Sequence, residues 1–171
     1  ALHVKNDLSS KLDEKKDMIL DSGNTEIGLE STVIDFTKTI PKVLRPGGLN
    51  ISLINKIVKT SYDESNINEI KPESPGLFKK HYSPNASLRL NADYPLEGEA
   101  WLGFGQDPKN LNNCVKMNLS KNKNLKEAAK NLFSMLRYLD KKKVKKIAVR
   151  KIQNKGIGIA INDRLNRGAA N

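Results

Sequence analysis

Residues 124–165, NLKEAAKNLFSMLRYLDKKKVKKIAVRKIQNKGIGIAINDRL, carry the pattern that decides the fold. Leu125, Ala128 or Ala129, Leu132, Phe133, Leu136 and Leu139 recur at helical spacing, which predicts a helix over Leu125–Lys141 with one apolar stripe. Val144–Ile152 is short, apolar and bordered by Lys141–Lys143, Lys145 and Lys146, the pattern of a buried strand. Gly156–Leu165 then reads as a second, amphipathic helix. Working upstream, Cys114–Leu119, Glu99–Gly103 (EAWLG) and Ser87–Leu90 read as three strands. Three strands, a helix, a strand and a helix within ~85 residues describe a small Rossmann-like α/β layer domain.

Before this unit the character of the chain changes. Thr60–Pro84 is polar and holds three prolines, so it reads as a linker, although Phe78, His81 and Tyr82 are unusual residues for an idle tether. Further upstream, Lys42–Arg45 and the β-branched Ser31–Thr37 are predicted strands, and Met18–Leu20 is a third, stopped by Asp21-Ser22-Gly23-Asn24. Ser52 is placed to cap a helix carrying Leu53, Ile54, Ile57 and Val58. The opening stretch from Leu2 has Leu8 and Leu12 on one face and reads as a helix without a capping residue. The expected partition is therefore 1–60, a linker at 61–86, and a second domain at 87–171.

The chain has 171 residues, 37% hydrophobic and 29% charged, enough apolar material for a core. No apolar run approaches the ~18 residues of a membrane helix, and no signal peptide is visible. A single cysteine, Cys114, excludes an internal disulfide and suits a reducing compartment, so a cytoplasmic location is expected. Two histidines, His3 and His81, exclude a His-rich metal site, and no protein-held metal is expected. Net charge is +11, and its distribution is uneven. Residues 1–86 hold 12 basic and 12 acidic residues, whereas 87–171 hold 18 and 7. The second half therefore suits polyanions. The same lysines also fit a plainly solvated surface in a chain with 24 Lys and 19 Asn.

Three motifs carry candidate chemistry. Glu30-Ser31-Thr32-Val33-Ile34-Asp35 and Leu44-Arg45-Pro46-Gly47-Gly48 lie on consecutive predicted strands. Hydroxyls at Ser31 and Thr32 suit an amino-acid ligand, and the planar guanidinium of Arg45 suits a phosphate or ribose edge. An Arg-Pro-Gly-Gly turn also serves simply as a strand exit. SPGLFKKHYSP offers Lys79, Lys80, His81 and Tyr82 on a proline-framed loop, able either to lie over a nucleotide or to pin a linker to a surface. Gly103-Phe104-Gly105-Gln106-Asp107-Pro108 is no dinucleotide fingerprint and no helix follows it promptly, and the glycines at 156 and 158 open a helix without a Walker-type lysine and read as tight packing against a strand.

Taken in order, GLESTVID (28–35), VLRPGG (43–48), SPG with HYSP (74–84), the helix from Asn124 to Asp140 and GIGIAINDRLNRGAA (156–170) resemble the two-domain L-threonylcarbamoyladenylate synthase family over nearly the whole chain. The resemblance implies the C-terminal part of a YrdC-like α/β domain, a linker closing over the active site, and a small C-terminal α/β domain. It implies formation of threonylcarbamoyl-adenylate and pyrophosphate from L-threonine, bicarbonate and ATP, with Mg²⁺, for the t⁶A modification of tRNA. It places Ser31 and Thr32 against threonine and Arg45, His81 and Tyr82 against the nucleotide, with no nucleophilic side chain. It further implies an N-terminal part ahead of this segment, without which the segment is expected to be inactive. Partners expected are the substrates, with tRNA or tRNA-modification proteins. The alternative is a basic RNA-binding module without catalysis of its own.

Overall fold

The structure, a computed structural model, describes residues 1–13, 15–63, 83–111 and 113–170. Its elements in chain order are α1 (Leu2–Leu8), β1 (Val33–Asp35), β2 (Lys42–Arg45), α2 (Ile51–Ile54), β3 (Ser87–Ala92), β4 (Glu99–Gly103), β5 (Lys116–Asn118), α3 (Leu125–Lys141), β6 (Lys146–Arg150) and α4 (Ile157–Ala169).

The expected α/β class holds. A four-stranded sheet in the order β3-β6-β4-β5 is parallel at every pairing. The alternation of side chains along β4 and β6 builds two cores. Ala100, Leu102, Ile147 and Val149 face the helices and pack with Leu132, Leu136 and Leu139 of α3 and Ile161 and Leu165 of α4. Trp101 and Ala148 face the other way, with Ala92 and Leu111. β4 is buried at every position, as a central parallel strand covered on both faces must be. The α3 range agrees with the helical stripe. Its N-cap is Asn124, whose side-chain oxygen accepts from the amides of Lys126 (2.9 Å) and Glu127 (3.2 Å).

The return from β3 to β4 is unusual. Parallel strands commonly need about a dozen linking residues, often a helix, yet here residues 93–98 suffice. An ion pair compensates. Arg89 Nη2 sits 2.6 Å from a Glu99 carboxylate oxygen, its Nε donates to the other at 2.9 Å, and Nη2 also donates to the Tyr94 carbonyl. The Leu96 amide donates to Glu99 as well (2.8 Å). The Arg89 hydrogen bonds hold the Glu99 carboxyl below its ordinary value, outweighing the opposing effect of burial.

The upstream segment is built differently. β1 and β2 form an antiparallel pair, a two-stranded sheet among the described residues. Ser61 extends it by accepting from the Val43 amide (2.8 Å) and donating to the Pro41 carbonyl (2.9 Å). At the far end of the expected linker, the Asn85 and Ala86 amides donate to the Asp140 carboxylate of α3.

Several local expectations are corrected. The opening helix ends at Leu8, because Leu2, Val4 and Leu8 all stay exposed and no packed face propagates it. Met18–Leu20 is not a strand. No strand among the described residues pairs with it, and Met18 and Leu20 are more than four-fifths exposed. Asn50 rather than Ser52 caps α2: its side chain accepts from the Ser52 amide at 3.0 Å, so the helix starts two residues early and ends before Ile57 and Val58. The strand predicted over Ser31–Thr37 contracts to β1, and α4 runs on to Ala169. Cys114 precedes β5, half-buried, its thiol donating to the Glu99 carbonyl at 3.1 Å. No helix among the described residues is long and apolar enough to cross a membrane.

Candidate functional site

Ser31 and Thr32 lie just ahead of β1, and Arg45 ends β2, so the antiparallel pairing brings the two motifs side by side. Arg45 is buried and reaches across to Ser31. Its Nε and Nη2 donate to the Ser31 carbonyl at 3.3 and 3.2 Å, and Nη2 lies 3.4 Å from Ser31 Oγ. The guanidinium and the serine hydroxyl thus share one location, as the paired-strand reading expects.

The turn after Arg45 is locked to the same place. The Thr32 hydroxyl accepts from the Gly47 amide (3.1 Å) and donates to the Leu49 carbonyl (2.8 Å). The Gly48 amide donates to the Glu30 carbonyl (3.0 Å). Gly47 is pressed so close that a Cβ there would lie 2.3 Å from both the Glu30 oxygen and the Ser31 carbonyl carbon. No side chain fits. The glycines of LRPGG therefore serve backbone approach, and Thr32 works within the scaffold while Ser31 stands beside the guanidinium.

Ser31 and Thr32 line a cavity of about 320 Å³, together with Ile27, Leu29, Glu30, Gly48 and Leu49. That size lies at the small end of metabolite sites. A second cleft of about 410 Å³ adjoins it through Leu29 and Glu30 and is otherwise lined by His3, Thr25, Gly28, Ser83, Pro84 and residues of α3. His81 and Tyr82, the two remaining nucleotide-side expectations, fall outside the described residues, as do Phe78, Lys79 and Lys80.

One set of residues escaped the sequence reading. On α4, Asp163, Arg164 and Arg167 are almost wholly buried. Arg164 donates through Nε (2.9 Å) and Nη2 (2.8 Å) to Glu30, and through Nη2 to the Pro46 carbonyl (3.1 Å). Its Nη1 contacts Asp163, whose carboxylate also takes Nε and Nη2 of Arg167 at 3.2 and 3.0 Å. The signal available in the sequence was DRLNR, three charges on the helix that an amphipathic pattern assigns to solvent.

Residues 38–170 match the family model described as threonylcarbamoyl-AMP synthase, C-terminal domain. The chain belongs to this family. The match begins inside the first expected segment and runs through the second sheet. The chain is also similar to threonylcarbamoyl-AMP synthases of Pyrococcus abyssi and Bacillus subtilis. It is 30% identical to the first, covering 99% of this chain and 53% of that protein. It is 29% identical to the second, covering 99% and 52%. A crystal structure of P. abyssi Sua5 complexed with L-threonine superposes with a TM-score of 0.81 at 29% identity, over 99% of this chain and 53% of that one. A variant of the same P. abyssi protein, with an adjacent His and Tyr both changed to Ala, gives 0.71 at 27%, over 87% and 47%. The chain spans about half the length of the curated relatives it matches.

Among the described residues, no His, Cys, Asp and Glu side chains gather as a metal-binding group. Glu30, which precedes Ser31 in the chain, is engaged with Arg164.

Proposed function

We propose that this chain is the C-terminal part of a threonylcarbamoyl-AMP synthase, and that it supplies the Ser31–Arg45 corner of the active site. The observation that carries this reading is the convergence of Ser31, Arg45 and the Gly47 turn beside a cavity of about 320 Å³. The L-threonine bound by the P. abyssi relative supports the choice of amino acid. In this reading Ser31 faces threonine, Thr32 holds the turn beside it, and Arg45 faces the nucleotide.

The proposed reaction begins with threonine's amine and bicarbonate forming a carbamate with loss of water. A carbamate oxygen then attacks the α-phosphorus of ATP, and the bond to the pyrophosphate oxygen breaks. No side chain forms a covalent intermediate. The corner's task is to orient the reactants and to place positive charge near the developing negative charge. Mg²⁺ bound with the nucleotide would supply neutralising charge at the phosphates, its usual chemistry; of this chain's residues beside Ser31, Glu30 is paired with Arg164. His81-Tyr82 is the chain's single His-Tyr dipeptide, and we assign it to the nucleotide side. The changed His-Tyr pair of the P. abyssi variant supports testing it.

The test uses the whole polypeptide in which this chain occurs. Pyrophosphate release should require both threonine and bicarbonate, and Arg45→Ala should lower kcat/KM at least ~100-fold while the protein stays folded. Release that ignores threonine, or an unchanged Arg45→Ala variant, overturns the proposal.

One observation favours a second, compatible role in contacting tRNA. Every lysine of residues 87–171 is exposed, whereas Arg164 and Arg167 are consumed internally. Affinity of the chain for tRNA should fall steeply between 50 and 200 mM salt, on the order of 10³-fold for six phosphate contacts. Salt-independent or absent binding rejects it.

A further inference from the structure

The α4 network joins two parts of the chain that the sequence separates by more than a hundred residues. Arg164 and Arg167 carry two positive charges, Asp163 and Glu30 two negative ones, and three of the four side chains are almost wholly buried. Such a group is dear to desolvate and tolerates little loosening, because every member relies on the others for its charge balance.

What the network grips is specific. Glu30 immediately precedes Ser31, and its own carbonyl accepts from the Gly48 amide. Pro46 immediately follows Arg45. One guanidinium therefore grips both sides of the corner, through the Glu30 side chain and the Pro46 carbonyl, at the residues adjoining the two that the proposed reaction uses. The same helix is anchored in the main core by Ile161 and Leu165. Among the described residues the β1–β2 pair is a short two-stranded sheet with partly exposed strands, and the α4 contacts add a hold on it from outside.

We infer that Arg164 is a positioning residue for the active site: α4 of the C-terminal domain sets the spacing of Ser31 and Arg45 by holding Glu30 and the Pro46 carbonyl. Asp163 and Arg167 orient Arg164 for this task. The C-terminal domain is thereby a structural part of the catalytic pocket. This inference rests on the synthase reading above.

Two variants separate it from plain stabilisation. Glu30→Gln keeps the shape and the Pro46 contact but loosens the Ser31 side. It should raise the KM for threonine about 10-fold and leave the KM for ATP within about twofold. Arg164→Lys loses the forked contact to both strands and should raise both. Glu99→Gln, which weakens an ion pair remote from the corner, is the control for stability alone and should change neither KM. Equal kinetic effects of Glu30→Gln and Glu99→Gln at matched folded fraction overturn the inference. A wild-type protein without threonine-dependent activity overturns the synthase reading instead. In that case amide exchange in this chain still decides the clamp. Arg164→Lys should speed exchange at Gly47 and Gly48 at least about 10-fold over wild type, with the β4 and β6 amides unchanged. Uniform acceleration, or none, sinks it.

Discussion

Replacing Gly47 by alanine tests the corner most directly. The new Cβ would stand 2.3 Å from the Glu30 oxygen and the Ser31 carbonyl carbon and 2.4 Å from the Thr32 nitrogen, against 3.4 Å for ordinary contact. All three atoms are backbone, so no side chain can swing aside. The two strands must part by roughly 1 Å, which breaks or badly stretches the bonds from Gly47 to Thr32 Oγ1 (3.1 Å) and from Gly48 to Glu30 (3.0 Å). Overpacking costs about 1–3 kcal/mol, and each lost hydrogen bond about 0.5–1.5 kcal/mol. A total of about 2–6 kcal/mol follows, or a fall in Tm of roughly 4–24 °C if the transition is cooperative over the chain. Urea unfolding followed by circular dichroism measures it, with amide exchange at Gly48 as the local readout. Gly98→Ala is the contrast. Nothing lies within 4 Å of that Cβ, and only its φ of +77° opposes substitution, at about 1–2 kcal/mol. Gly47→Ala no more costly than Gly98→Ala would refute the close-approach argument.

The other predictions concern the C-terminal sheet. Asn124→Ala should cost about 1 kcal/mol in equilibrium unfolding through loss of the α3 cap, and Asn124→Asp should restore most of it. Gly158→Ala should destabilise more than a helix propensity change allows, because its Cβ would stand 2.0 Å from the Gln153 carbonyl oxygen; a stabilised variant refutes that packing. Glu99 has a folded-state pKa below its unfolded one, so its contribution is present above the ordinary carboxylate range and lost as pH falls through that depressed value. The stability gap between wild type and Glu99→Gln should therefore narrow on acidification from about pH 6 to about pH 3; a constant gap refutes the linkage. Burial raises the Cys114 thiol pKa, so its alkylation at pH 7.5 should run at least about 10-fold slower in the folded chain than in urea.

Much of this molecule was legible from residue order. The stripe from Leu125 to Leu139 needs only local periodicity, and α3 follows it residue for residue. EAWLG and KIAVR are strands because buried central strands need apolar runs, and the middle residues of both are apolar. The proximity of Ser31 to Arg45 required only that two consecutive strands pair. By contrast, Met18–Leu20 shows that a short apolar run becomes a strand only when a partner strand is supplied. Asp107 makes the same point in the GFGQDP loop. Its carboxylate accepts from Trp101 Nε1 and Asn118 Nδ2, both at 2.8 Å, in space that Gly103 leaves open. A loop glycine alone cannot announce that.

Residue order by itself thus determined most of the helices and strands of the C-terminal sheet, which strands adjoin at the candidate site, and that a hydroxyl of Ser31 or Thr32 meets the Arg45 guanidinium there; which of the two does so took the structure. Tertiary structure alone decided the environment of the charges on α4. Charged residues on a helix are solvated or buried according to what lies opposite, and opposite Arg164 stand Glu30 and Pro46, brought there by chain reversal across the whole length of the fold. Electrostatic interactions act through space, so no local pattern could have paired residues 30 and 164.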